Sequence, residues 1–152
     1  MAVFEYSDTT AAGERRALQE TLSVAAVARA GGRFALVGAS LGGRIVIEAA
    51  ARRPAGLAAI VSLSGERTVQ NYRDILPDAR RVRTPALYIG ARDDALTDGA
   101  RQQRELHNAM RGHPNEILQQ RGFDHGTELI DTAPDANTNA VRVNDFITRQ
   151  IR

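Results

Sequence analysis

An α/β protein, built on a mostly parallel sheet of four or five strands with helices on both faces, is what the sequence predicts, and three observations predict it. Four short runs of strand length stand at Phe34 to Val37, Ala58 to Leu63, Ala86 to Ile89 and Glu116 to Gln120. Segments with apolar residues at helical spacing separate them, and strands alternating with helices of this length imply a parallel sheet in a three-layer arrangement. The third observation is a glycine-flanked serine, Gly38, Ala39, Ser40, Leu41, Gly42, set where the first run gives way to a helix.

In chain order, Ala2 to Tyr6 supplies a possible fifth strand, and one of Ser7, Asp8, Thr9 and Thr10 is placed to cap the following helix. Leu18, Leu22, Ala25 and Ala28 recur at spacings of four and three, marking a helix over Glu14 to Ala30 that Gly31 and Gly32 stop. Leu41, Ile45 and Ala49 carry the next helix toward Pro54. The connection from Glu66 to Arg83 is the one long link. Its Val69, Tyr72, Ile75 and Leu76 predict a further crossover helix. Leu106, Ala109 and Met110 mark a helix before the last strand, and Val143, Phe146, Ile147 and Ile151 a closing one.

The 152 residues, 43% hydrophobic and 25% charged, fit one domain spanning 1–152. With no cysteine there are no disulfides, thiolate metal sites or thiol nucleophiles, as suits a reducing compartment. No apolar run is long enough to cross a bilayer and no secretory signal opens the chain, so a cytoplasmic protein without membrane contact is expected. All 20 basic residues are arginine, and the absence of lysine removes phosphate-loop lysines and Schiff-base chemistry. Arginine pairs such as Arg15–Arg16, Arg52–Arg53 and Arg80–Arg81 are dispersed along the sequence among acids, and aromatic residues are few. A nucleic-acid partner is therefore not expected.

A serine at a strand-to-helix corner takes a strained backbone, and Gly38 and Gly42 are expected to be small because side chains there would collide. Its hydroxyl then projects from the carboxyl edge of the sheet, where a helix N-terminus favours developing negative charge. A hydroxyl is a poor nucleophile until a base takes its proton, so a histidine oriented by a carboxylate is required. The alternative roles are a helix cap and a nucleotide-binding turn, but GASLGG matches only part of a dinucleotide fingerprint.

In this setting G-x-S-x-G resembles the nucleophile elbow of the α/β-hydrolase superfamily. The resemblance implies a serine, an acid and a histidine in that chain order. The acid is expected after the third strand, in LYIGARDDALT, where Asp93 is favoured over Asp94 by its distance from Gly90; Glu66 after the second strand is a third candidate. His125 in GFDHGTE follows the fourth strand. His107 lies within a helical pattern and His113 at the wrong edge of the sheet. The resemblance further implies ester hydrolysis through Ser40, Asp93 and His125, with the Leu41 N–H in the oxyanion hole, a small-molecule ester as substrate, and no cofactor or metal. It covers the later half to two-thirds of the fold, as in an N-terminally short form. The strand carrying Ser40 then needs a neighbour, either Ala2 to Tyr6, whose following loop would donate the second oxyanion hydrogen bond, or a second subunit across the exposed sheet edge. A binding module that keeps these residues without a complete oxyanion hole is the competing expectation.

Overall fold

The computed structural model describes residues 10–69 and 72–152. Its sheet has four strands in the order β1-β2-β3-β4, all parallel: β1 (Phe34–Ala39), β2 (Leu57–Leu63), β3 (Ala86–Ala91) and β4 (Asn115–Gln120). These are the four predicted runs, longer by one or two residues. β1 carries the corner serine and pairs with β2, Val37 opposite Val61. The expected strand Ala2 to Tyr6 lies outside the described residues; among those described, β2 is the one partner of β1, and Val37 is 47% exposed.

Parallel strands need crossovers, and helices supply most of them. α1 (Ala11–Ala28) precedes β1, α2 (Leu41–Ala51) joins β1 to β2, α4 (Gly99–Ala109) joins β3 to β4, and α5 (Glu128–Asp131) and α6 (Ala136–Ile151) close the chain, with the short α3 (Leu76–Ala79) before β3. Thr10 caps α1, its hydroxyl oxygen accepting from the Gly13 N–H at 3.1 Å. The alternation of β2 divides the core. Ile60 faces Val46, Ile47, Ala79, Tyr88 and Leu106 on one side, whereas Ala59, Val61 and Leu63 face Leu129, Val143 and Phe146 on the other.

Two elements depart from the sequence reading. The buried row of α1 is Glu14, Ala17, Thr21 and Ala25, with Leu18 and Leu22 half-buried at its flank. Of the helix expected between Glu66 and Arg83, the described residues form only the four residues of α3. Both departures trace to Arg44, on α2 and fully buried. Its guanidinium bonds the Glu14 carboxylate, donates to the carbonyls of Arg67 at 2.9 Å and of Arg73, and lies 5.4 Å from the centre of the Tyr72 ring. The Arg67 carbonyl accepts from the Ile75 N–H at 3.2 Å as well as from Arg44, a link over eight residues that an α-helix does not make. The connection is therefore irregular, and α1 is turned so that an acid meets the buried cation.

Glu48, one turn along α2, is also buried and is bonded by Arg73 at 2.6 Å. Burial first, then the adjoining Glu14 carboxyl, push its pKa up to about 7, against the pull of Arg73 and Arg44. The folded chain thus holds this proton more tightly than the unfolded one, so its contribution to stability is complete below about pH 4.5 and is lost as pH rises through about 7. Replacing Glu48 by Gln removes that titration. The melting temperature of E48Q, relative to wild type, shifts upward between about pH 5 and about pH 8 by the equivalent of at most about 3 kcal/mol. Parallel melting curves across that range would contradict this account.

Candidate active site

Ser40 sits between β1 and α2 with φ 53° and ψ −119°, a conformation that costs a non-glycine residue of order 1–3 kcal/mol. Its N–H is held by the Leu63 carbonyl at 2.8 Å and its carbonyl accepts from the Arg44 N–H at 3.2 Å, so the strand pairing on one side and the first helical turn on the other enforce the corner. A Cβ on Gly38 would stand 2.1 Å from the Gly42 carbonyl oxygen, which only glycine escapes. Gly42 differs from the expectation: a Cβ there meets nothing within 4 Å. The crowding instead continues at Gly43, whose Cβ would lie 3.0 Å from the Gly65 backbone.

The remaining members come from loops after β3 and β4. His125 Nε2 is 2.7 Å from Ser40 Oγ, and its Nδ1 is 2.8 Å from Asp94 Oδ2. Asp94 is 1% exposed and the His125 side chain 18% exposed, so the carboxylate is shielded while the imidazole reaches the surface. Ser40 and His125 are thus brought together as expected, but the carboxylate facing the imidazole is that of Asp94 rather than Asp93. The reason is local. β3 runs on to Ala91, and Arg92 and Asp93 continue beside β4, donating to the carbonyls of Gln120 at 3.0 Å and Gly122 at 3.1 Å. The chain turns inward only at Asp94, whose Oδ1 caps the following 3-10 turn by accepting from the Leu96 N–H at 3.0 Å. Asp93 is left exposed.

Glu66, the third acid considered, is 7% exposed and close enough for its charge to be felt by His125 and Asp94. Burial is the main cause that raises its carboxyl above the ordinary range; Asp94 adds to this and His125 opposes it. The hydrogen bond to His125 Nδ1 belongs to Asp94. His107 is engaged with Asn108 and the Asn115 carbonyl, at the entry to β4. His113 is exposed in the turn that precedes β4.

Residues that the sequence reading passed over hold the histidine loop. Asn139 of α6 donates to Gln120 Oε1 at 2.6 Å and to the Leu129 carbonyl at 2.7 Å, and Gln120 in turn reaches Asp124 at 3.3 Å. Gly126 takes φ 61°, a left-handed backbone that favours glycine, where a Cβ would stand in ordinary contact, 3.7 Å, with the Ala39 and Ser40 Cβ atoms. The His125 N–H bonds Glu128 at 2.9 Å, pinning the loop to the start of α5. On β3, Gly90 leaves room for buried Gln103, which donates to the Ala91 carbonyl at 3.2 Å and so fixes the strand end that leads to Asp94. None of these carries a pattern legible without the fold.

Leu41 opens α2, where backbone N–H groups have no intrahelical acceptor, and the helix bonds begin only with Arg44. The Ser7 to Thr9 part of the loop expected to supply a second donor lies outside the described residues. Thr10, its last residue, is the cap of α1. Among the described residues no group of His, Cys, Asp and Glu side chains fits a metal, and no helix is long and apolar enough to cross a membrane.

Open parallel strands in this order, with a strained serine opening the helix after β1 and the partner loops at the same carboxyl edge, are the α/β-hydrolase fold. The chain is similar to a monoacylglycerol lipase from Paleococcus ferrophilus, with a TM-score of 0.75 and 14% identity over 90% of this chain and 76% of that one. It is likewise similar to a lipase-esterase related protein from Clostridium acetobutylicum, with a TM-score of 0.72 and 14% identity over 97% and 79%. A dienelactone hydrolase from Anabaena variabilis gives 0.59 and 22% identity over 78% of this chain, which spans half of that enzyme. At these identities the likeness concerns the fold. No family model and no curated protein matches the sequence.

Proposed function

We propose that this chain, folded as one domain, is a serine hydrolase that cleaves small carboxylic esters through an acyl-enzyme. The observation that carries the reading is the unbroken row Ser40 Oγ, His125 Nε2, His125 Nδ1 and Asp94 Oδ2, with contacts of 2.7 and 2.8 Å, reached from three separate loops. A core residue or a helix cap requires no such row; proton removal from a hydroxyl does.

In the first half-reaction Ser40 Oγ bonds to the acyl carbon while its proton passes to His125 Nε2 and the carbonyl electron pair moves onto oxygen. The Leu41 N–H is the donor for that oxyanion. As the tetrahedral species collapses, the bond to the alcohol oxygen breaks and His125 returns the proton to the departing alkoxide. Water then repeats the sequence: it loses a proton to Nε2 and attacks the acyl carbon, and Ser40 recovers its proton as the acid leaves. Asp94 accepts the Nδ1–H throughout, which holds Nε2 free to act as base and stabilises the imidazolium. The short connections support small acyl groups, since among the described residues the link from β2 to β3 carries only the four-residue α3.

The test is labelling with a fluorophosphonate and hydrolysis of p-nitrophenyl esters of increasing acyl length. Wild type is labelled. Ser40→Ala is not, and its kcat falls by roughly 10⁶, the scale seen when a serine nucleophile is removed. Activity that survives in both Ser40→Ala and His125→Ala would exclude these residues. A folded wild-type protein that fails to label would favour the binding-module reading, in which the oxyanion site lacks its second donor.

A further inference from the structure

Because every strand is parallel, all four entry loops converge on the rim opposite Ser40, and these loops are unusually charged. The segments 29–33, 52–56, 80–85 and 110–114 contain eight arginines and neither Asp nor Glu. The loops touch one another. The Phe34 N–H donates to the Gly56 carbonyl at 3.0 Å, the Ile60 N–H to the Pro85 carbonyl at 2.9 Å, and the Arg111 N–H to the Val82 carbonyl at 3.0 Å. Arginines dispersed in the sequence are thereby lined up along one edge, roughly 15 Å across at the strand spacing of a sheet. Arg52, Arg53, Arg80, Arg81, Arg83 and Arg111 are all exposed, and among the described residues none is in an ion pair. Of the other arginines of the fold, Arg44, Arg67, Arg73, Arg101, Arg142 and Arg149 meet carboxylates, while Arg15, Arg104 and Arg121 are exposed outside the entry loops, on α1, on α4 and after β4. The formal net charge of +2 therefore conceals a polar distribution, strongly positive at the entry rim and negative over the remainder.

From this we infer that the entry rim binds the phosphate backbone of nucleic acid without reading its sequence. Arginine forks match phosphate geometry, and a row of them at this spacing meets several phosphates of a duplex, which presents a charge every 1.7 Å or so of its axis. A membrane fits less well: the entry loops expose no large apolar side chain to insert, and docking there would turn Ser40 away from the lipid. A protein partner fits less well, since these loops expose no aromatic or large apolar side chain to fill the centre of an interface. The sequence reading set nucleic acid aside because its arginines were dispersed and its aromatic residues few; the fold removes the first premise, and contacts to the phosphates of a duplex do not need the second. This binding is independent of the ester-hydrolase reading, since it uses the other edge of the sheet.

The experiment is fluorescence anisotropy with a labelled DNA duplex of about 20 base pairs at several salt concentrations. Three proteins are compared: wild type, the rim variant R52E/R81E/R111E, and R15E/R104E/R121E, which removes the same charge from exposed positions elsewhere. Wild type binds, and its affinity falls roughly a hundredfold between about 50 and about 200 mM salt, as neutralising about four phosphates requires. The rim variant loses at least about tenfold relative to the other triple variant, while fluorophosphonate labelling of Ser40 is unchanged. The milder R52Q/R81Q/R111Q gives a smaller loss in the same direction and serves if the reversal compromises folding. Absence of wild-type binding at low salt, equal losses in the two reversal variants, or binding to phosphatidylglycerol vesicles without binding to DNA would each overturn the inference.

Discussion

Asp94→Asn lowers kcat for ester hydrolysis by about 10⁴, whereas Asp93→Asn leaves it within about threefold of wild type. The asparagine keeps the shape of the side chain but presents an amide where Nδ1–H needs an acceptor. The imidazole then places its proton on the wrong nitrogen for Ser40, and the imidazolium loses its counter-charge. Asp94 is buried and meets His125 at 2.8 Å, while Asp93 is exposed and tied to the histidine loop only through its backbone. Steady-state kinetics of the two variants on one p-nitrophenyl ester decide the matter. If Asp93→Asn were the crippled protein, the assignment of the acid would be reversed. Equal, mild effects in both would point to Glu66, whose carboxyl is buried beside the same imidazole.

Removing the guanidinium of Arg44 has the second large consequence, and it falls on stability. Arg44→Met costs about 3–5 kcal/mol, because Glu14 stays buried without its cation, Glu48 keeps only Arg73, and the carbonyls of Arg67 and Arg73 lose a donor. For a domain of this size the melting temperature falls by roughly 10 °C. The triple variant R44M/E14Q/E48Q recovers part of the loss, since no uncompensated charge then remains inside. Thermal melts of the two variants at neutral pH measure both effects. Melting of Arg44→Met within about 2 °C of wild type would show that the buried cluster contributes nothing net.

Arg44 also shows where reading a sequence stops. The four strands were legible because apolar runs of that length admit few other structures, and the helices between them because their periodicity is repeated. The corner at Ser40 was legible for a stronger reason: a hydroxyl between glycines at a strand-to-helix junction answers a steric demand that the neighbours alone reveal, and Gly38 against the Gly42 carbonyl bears it out. The matching demand expected at Gly42 falls on Gly43, because that contact is made with Gly65, a residue distant in the chain.

What the sequence by itself determined is the class of the fold, its four strands and most of its helices in chain order, and the delivery of Ser40 and His125 to one edge. Each of these follows from local patterns and from the rule that parallel strands deliver their ends to a common rim. Only the tertiary structure decided which of two adjacent aspartates faces the imidazole, because the backbone of Arg92 and Asp93 is held by the Gln120 and Gly122 carbonyls and the chain turns inward only at Asp94. It also decided that an arginine in α2 is interior, that the carbonyls of Arg67 and Arg73 serve its guanidinium, and that arginines spread over some eighty residues stand side by side. Those outcomes depend on groups far apart in the chain satisfying one another's charge and hydrogen bonds, and a one-dimensional pattern carries no record of which groups will meet.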